Sequence, residues 1–525
     1  MRKHISIIRT LTALMTVGLM FISCSKENEQ VLVDKTFTMT VNASKGDHAT
    51  KDLSLDGTTL TATWKTGEKV YVHNNTKNAD LDGYLEAQSD GTSTVLKGSL
   101  TGTIENGDEL ALRFCSDSYD LQQGTIEWIA ANCDYATATV TVTDASAASV
   151  TTTDAAFANQ QAIVKFTLMN TGGSEISAST FTVQVDGNTY AVVLASPASV
   201  VYVAVPGFSG QKVSLFARVG TDWYSREQPG ITFSNGQYYT VAVKMAQTGI
   251  LPGKFTVGSG EQVRFSQGNL QATYNGSTWS WAFAANQWDY IGNAAGNTSI
   301  NGNGTVNANN VTVDLFGWVG NSSSFTGVAQ YGITNDVSPS NYSGNSDQTL
   351  KSDWGTLSIT NGGSTENSGW YTLTNTKWSY LFNRSSGSTV NGASNAKYTH
   401  ATINTDINGG VNGIILIPDG VTIDSDEATS WGNINSHSST WGASTKCTSA
   451  QWTVLAAKGC VFLPAAGDRK ASTVNNVVSY GYYWSSTFVN GREAYYISFG
   501  PNDFYYQLKR KLYYGQSVRL VKNAD

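Results

Sequence analysis

Asx-Gly pairs, among them Asp56-Gly57, Asn106-Gly107, Asp186-Gly187 and Asn235-Gly236, punctuate the N-terminal half of the chain. Between them lie short runs in which apolar and polar residues alternate. An Asx-Gly pair tolerates the positive φ that a two-residue hairpin turn requires, and its twist suits antiparallel strands. Short strands at such spacing make β-sandwiches. The alternation predicts strands at Lys35 to Val41, Lys69 to Val72, Glu109 to Phe114, Thr137 to Val142 and Ala162 to Leu168. Further strands are expected at Thr180 to Val185, Ala198 to Val205, Lys212 to Val219 and Tyr238 to Met245. Composition agrees: 51 Gly, 8 Pro and only 14% charged residues exclude coiled coils and most helical bundles. Aromatics at 11% exclude a disordered chain.

Breaks in the text divide the 525 residues, a length that suits roughly three to four domains. Ser, Ala and Thr dominate near 144–157, so two half-sandwiches are expected, at 37–147 and 148–247. Residues 248–253, with Gly249 and Gly253, read as a hinge, and 254–525 is a different text. The most basic stretch, Lys509-Arg510-Lys511, reads as a solvated strand edge. A chain of formal net charge −7 with no longer basic cluster is not built to grip nucleic acid.

Residues 1–23 combine the basic residues Arg2, Lys3 and Arg9 with an apolar run, Leu11 to Ile22, too short to span a bilayer well. Phe21-Ile22-Ser23-Cys24 resembles a bacterial lipobox, with Phe21 where Leu is usual. The resemblance implies cleavage before Cys24, acylation (palmitate included) and anchoring in the cell outer membrane without a transmembrane segment. A plain secretory signal is the other reading. Ser25-Lys26-Glu27-Asn28-Glu29 resembles an acidic surface-export tag, and 24–36 is a polar spacer. Of the remaining cysteines, Cys447 and Cys460 flank opposite ends of a helix expected at Ser449 to Lys458, with Ser449 as its cap. That separation, roughly 15 Å, exceeds a disulfide's reach. Cys115 and Cys133 are left either bridged or free.

From His48 to Val72 the text HATKDLSLDGTTLTATWKTGEKVYV resembles the opening of fimbrillin-like (Mfa-like) proteins, with Trp64, Gly67, Glu68, Val70 and Val72 in the W-x-x-G-D/E-x-I/V-x-V positions. Asp120 to Tyr135 and Gln160 to Leu168 resemble the same family, so the likeness covers roughly 37–247. It implies a pilus subunit exported as a lipoprotein, trimmed by a protease after a basic residue, and joined to other subunits by strand exchange. Lys51, in Thr50-Lys51-Asp52, occupies the processing position where Arg is usual. An uncut chain that keeps its own strand is the alternative.

The segment from Phe255 carries DLFGWVGN at Asp314, GWYTLTNTKWSYLFNR at Gly369, GIILIPDG at Gly413, QWTVLAAKGCVFLPAAGDR at Gln451 and YYWSST at Tyr482. This series resembles the C-type-lectin-like "major paralogous" domain of bacterial surface proteins. The resemblance implies an α+β fold, with helices near Leu373 to Phe382 and Ser449 to Lys458 on a twisted antiparallel sheet. The expected class is therefore mainly β: fimbrillin-type sandwiches followed by an α+β lectin-like domain.

Catalytic signatures are lacking: no H-E-x-x-H, G-x-S-x-G, P-loop or dinucleotide fingerprint occurs. The lectin-like fold also hosts sulfatase-modifying oxidases with paired cysteines, but Cys447 and Cys460 read as structural. Sugar binding needs aromatic platforms and planar polar groups, and the candidates are Trp431, Trp441, Tyr483, Asn502, Asp503 and Tyr505. Paired tyrosines on a strand, Tyr482-Tyr483 and Tyr505-Tyr506, should place one ring inside and one outside. Asp424, Asp426 and Glu427 are a calcium candidate, and a solvated acidic turn is their bland reading. Otherwise no cofactor is expected. Trp484 and Arg519 read as packing plus one buried salt bridge. The leading reading is a lipid-anchored fimbrial tip adhesin with a sandwich assembly module and a glycan- or protein-binding head. A monomeric surface glycan-binding lipoprotein and, behind it, an enzyme are the rivals.

Overall fold

The computed structural model describes residues 34–45, 54–56, 59–61, 63–115, 119–146, 148–301, 310–319, 332–338, 352–363, 365, 368–424, 431, 434–436, 441, 445–490 and 492–524. Cys24, Lys51, Asp426 and Glu427 lie outside the described residues. The chain is mainly β, in three packed regions.

The first region contains β1 (Lys35–Lys45), β2 (Lys69–Asn74), β3 (Leu85–Ala87), β4 (Ser93–Gly102), β5 (Glu109–Phe114), β6 (Ala136–Ala145), β7 (Ser149–Thr152) and β8 (Ala155–Asn159). Their pairings close on themselves in the circuit β1–β8–β6–β5–β2–β3–β4–β1. Alternation explains the filling: Val70 and Val72, Leu110 and Leu112, and Val140 and Val142 all face inward and are buried. Trp64 is fully buried against Phe114 and Phe157, as a core residue should be.

The boundary expected at 147 is corrected by these pairings. β7 and β8 both run parallel to β1 and belong to the first region. Conversely α1 (Ile126–Asn132), capped by Thr125, contributes Ile129 to the core of the second region. The Ser/Ala/Thr-rich stretch therefore turns the chain back into its first ring rather than separating two units.

The second region packs β9 (Gln161–Asn170), β10 (Ala178–Val185), β11 (Asn188–Ala198), β12 (Val200–Pro206), β13 (Phe208–Val219), β14 (Asp222–Phe233) and β15 (Tyr238–Gln247). Their order is β11–β10–β13–β14–β15–β9–β12. β14 and β15 join through only two residue pairs, so the sheet folds into two layers over Phe166, Phe181, Val203 and Leu215. The β10–β11 hairpin turns at Asp186 and Gly187 with φ of 49° and 79°, as the Asx-Gly pair predicts.

The third region mixes short strands with short helices, of which two are longer than a single turn among the described residues. It holds β16 (Phe255–Gly258), β17 (Glu261–Phe265), α2 (Asn375–Asn383), β18 (Tyr398–Ile403) and β19 (Val411–Leu416). Next come α3 (Ser449–Ala457), β20 (Val461–Pro464), β21 (Gly481–Asn490), β22 (Glu493–Phe499), β23 (Phe504–Lys511) and β24 (Leu520–Asn523). Both helices fall where the sequence places them. The cap of α3 is Thr448, not Ser449: its hydroxyl accepts from the Gln451 amide, and the Gln451 side chain reaches back to the cap. Cys447 and Cys460 are buried thiols, as the helix between them dictates, and Cys115 and Cys133 are thiols too. Burial pushes the Cys133 thiol up to about 12.

Residues 248–253 are not a hinge. Leu251 and Pro252 are buried, and the Pro252 carbonyl accepts from Gln184 and Arg264. Phe216 and Trp223 of the second region share one core with Leu251, Phe255, Val263 and Phe265. Thr182 donates to the Ala457 carbonyl at 2.8 Å, and Lys458 meets Asp120 at 3.1 Å. Small residues permit the approach: a Cβ on Gly253 would lie 2.0 Å from the Gly459 carbonyl oxygen.

Candidate assembly slot and ligand-binding surface

β1 is inserted between segments distant in sequence. It pairs antiparallel with β4 from Lys35 to Ser44 and parallel with β7 and β8 on its other side. Phe37, Met39, Val41 and Ala43 are all buried, and the series ends in Lys45, whose side chain is wholly inaccessible. The Lys45 ammonium lies 3.1 Å from Glu68, 3.9 Å from Asp134 and 3.3 Å from the Thr63 carbonyl. It also sits 4.4 Å over the Trp64 ring and 4.1 Å over Phe114. This cation box was missed in the sequence. Its signal was there: Lys45 continues the inward register of the alternation at a position that should be apolar.

On the third region the predicted ligand residues separate. Asn502 is exposed, Tyr505 is 50% exposed, and Asp503 lies between them beside the Tyr480 hydroxyl at 3.4 Å. His400 links this turn to Trp441: its Nε2 is 3.4 Å from the Asp503 carbonyl, and its ring lies 5.7 Å from the indole. Trp441, Asn502, Asp503 and Tyr505 therefore share one neighbourhood. Trp431 packs on a different core, the one that holds Trp452 and Phe462.

Tyr483 is corrected: it is fully buried, donating to the Pro464 carbonyl and accepting from Asn269. Tyr482 is buried as well, because β21 has cores on both faces, so the one-in, one-out expectation fails there. It holds better at β23, where Tyr505 is exposed and Tyr506 stacks on Phe382. Burial pushes the Tyr483 hydroxyl far above its ordinary value, and the Asp314 carboxylate adds to the rise.

Trp484 packs as expected, with its indole N–H on the Phe316 carbonyl. Arg519 has no carboxylate partner among the described residues. Its guanidinium meets the amide oxygens of Asn269 and Gln287, and burial lowers it to about 9. The expected solvated Lys509–Lys511 edge is also different. Arg510 pairs with the buried Asp468 and lies over the rings of Tyr514, Tyr482 and Tyr496, at 4.1, 4.9 and 5.7 Å. Asp424 ends a short pairing, Thr422–Ile423, and no group of three or more His, Cys, Asp or Glu is placed to hold a metal among the described residues.

No family model matches the chain, and no curated protein matches it. Several solved structures are weakly similar. A fimbrial protein from Bacteroides ovatus is 12% identical, over 93% of this chain and 99% of that one, with a TM-score of 0.20. A fimbrial assembly protein from Parabacteroides distasonis is 11% identical, over 44% and 94%, with a TM-score of 0.21. The tip fimbrial protein Mfa3 from Porphyromonas gingivalis, with C-terminal truncation, is 9% identical, over 40% and 95%, with a TM-score of 0.20. These scores are low, and the architecture rests on the strand pairings described above.

Proposed function

We propose that the chain is a cell-surface fimbrial subunit of adhesin type, not an enzyme. The first two regions form its assembly module and the third a lectin-like head. The observation that carries this reading is the place of β1: one strand, near the N-terminus, closes an otherwise complete ring. Withdrawal of such a strand leaves a row of unpaired backbone groups over an apolar groove, which a strand of another subunit can fill. Residues 46–53, with Lys51, follow β1 directly, where a cut would free it. Acylated Cys24 would hold the chain in the outer membrane until then. The head would meet a glycan or protein ligand at the turn of Asn502, Asp503 and Tyr505, with Trp441 beside it. Calcium at Asp424, Asp426 and Glu427 belongs to the same reading.

Mass spectrometry of protein extracted from the cell surface tests it. A mature N-terminus at Asp52 in high-mass fimbriae is expected. Full-length acylated protein, found only as monomer, would replace this reading with the unpolymerised glycan-binding lipoprotein. Cys24→Ala should release the chain from the membrane fraction or leave it unprocessed.

A further inference from the structure

The groove under β1 is not uniformly apolar. Along its floor the seats for Phe37, Met39, Val41 and Ala43 diminish in size, and the last seat is different in kind. There Glu68 and Asp134, buried carboxylates contributed by separate parts of the ring, face the Lys45 ammonium, and Trp64 and Phe114 offer their ring faces to it. Both acids are held by the ring, not by β1, so they stay when β1 leaves. A buried carboxylate that loses its cation is far more costly than one never placed there. The ring faces add a preference for a cation that an aliphatic group cannot satisfy.

We propose that the slot selects its occupant by charge. A strand that replaces β1 must carry large, then smaller, apolar residues at alternate positions and a lysine or arginine at the position of Lys45. The partner is thus a subunit whose donor segment has the pattern apolar-x-apolar-x-apolar-x-small-x-basic. This inference rests on the strand-exchange reading and adds to it a rule for which strands are accepted. An all-apolar strand fits the groove but takes away the ammonium that lies 3.1 Å from Glu68 and 3.9 Å from Asp134. The cation box is therefore a rejection device, built from interactions that are neutral for the right partner and costly for the wrong one.

The test uses the full chain, nicked by a protease at a site introduced within 46–53, so that residues 34–45 remain seated without a covalent link. Labelled synthetic peptides of residues 35–45 compete for the slot under mild denaturant. The native peptide should displace the resident strand. The Lys45→Met peptide, nearly equal in volume, should bind at least about a hundredfold more weakly. In a nicked chain carrying Glu68→Gln and Asp134→Asn, the two peptides should bind within about threefold of each other. Equal binding of both peptides to the unsubstituted chain would overturn the charge rule and leave strand exchange standing. Failure of every peptide, native included, to enter the slot would overturn strand exchange itself and the rule with it. If the doubly substituted chain does not fold, the comparison of the two peptides on the unsubstituted chain still decides.

Discussion

Single residues carry some of the sharpest consequences. Asp314 is fully buried, accepting from the Ile291 amide and the Asn297 side chain, and desolvation pushes its carboxyl up to about 6 against an ordinary 3.8. A raised value in the folded state means that the unfolded chain gives up this proton first. The contribution is fully present below pH 3.8 and is lost as pH rises through about 6. Such a displacement corresponds to about 3 kcal/mol between the two limits. Asp314→Asn should therefore flatten the melting temperature of the transition that includes the third region across that window. A variant that keeps the slope of the unsubstituted chain would move the effect to other groups. Arg519 belongs to the same class of residue. The sequence marked it as important but could not tell an ion pair from a set of amides. That distinction depends on Asn269 and Gln287, more than two hundred positions upstream.

Elements were legible where a local pattern decides them. Glu109–Phe114 falls where alternation puts it, and the Asp186-Gly187 turn has the backbone its residues demand. α3 is specified twice, by its apolar face and by its capping box. Thr448→Ala should cost about 1 kcal/mol, read as a lower melting temperature, and no change would mean that packing alone sets the helix start. Other elements were illegible for a physical reason. Ser149–Thr152 and Ala155–Asn159 carry small and polar residues and are strands because β1 and β6 present open edges to them. Tyr482 and Tyr483 were half-read, since alternation gives two faces but cannot say that both are covered. Of the candidate ligand residues, Asn502 is exposed and Asp503 half-buried in the turn before β23 and Tyr505 is exposed on that strand, whereas Tyr483 is in the core.

At the scale of the whole molecule, the glycines at 249 and 253 misled, because they serve close packing rather than bending. Trp223 lies on a strand of the second region and is buried in a core shared with the third. The two should therefore unfold together in calorimetry. Residues 250–525 alone, deprived of Phe216 and Trp223, should melt below the temperature seen in the full chain. Trp223→Ala should cost about 3–5 kcal/mol and lower that shared transition while sparing the first ring. Separate, unaltered transitions would show that the junction is only a contact. A third region fixed to the second in this way transmits load and orientation directly, with no slack at the joint.

The ring closure has a mechanical side. β1 meets β4 through a long antiparallel ladder whose hydrogen bonds lie perpendicular to the strand. Tension along β1 therefore loads those bonds in shear, all at once, rather than peeling them one after another. Whatever strand occupies the slot inherits this geometry. If subunits join through this slot as proposed, such a joint should resist a pull along the seated strand better than a pull across it, and single-molecule extension in the two directions should give clearly different rupture forces.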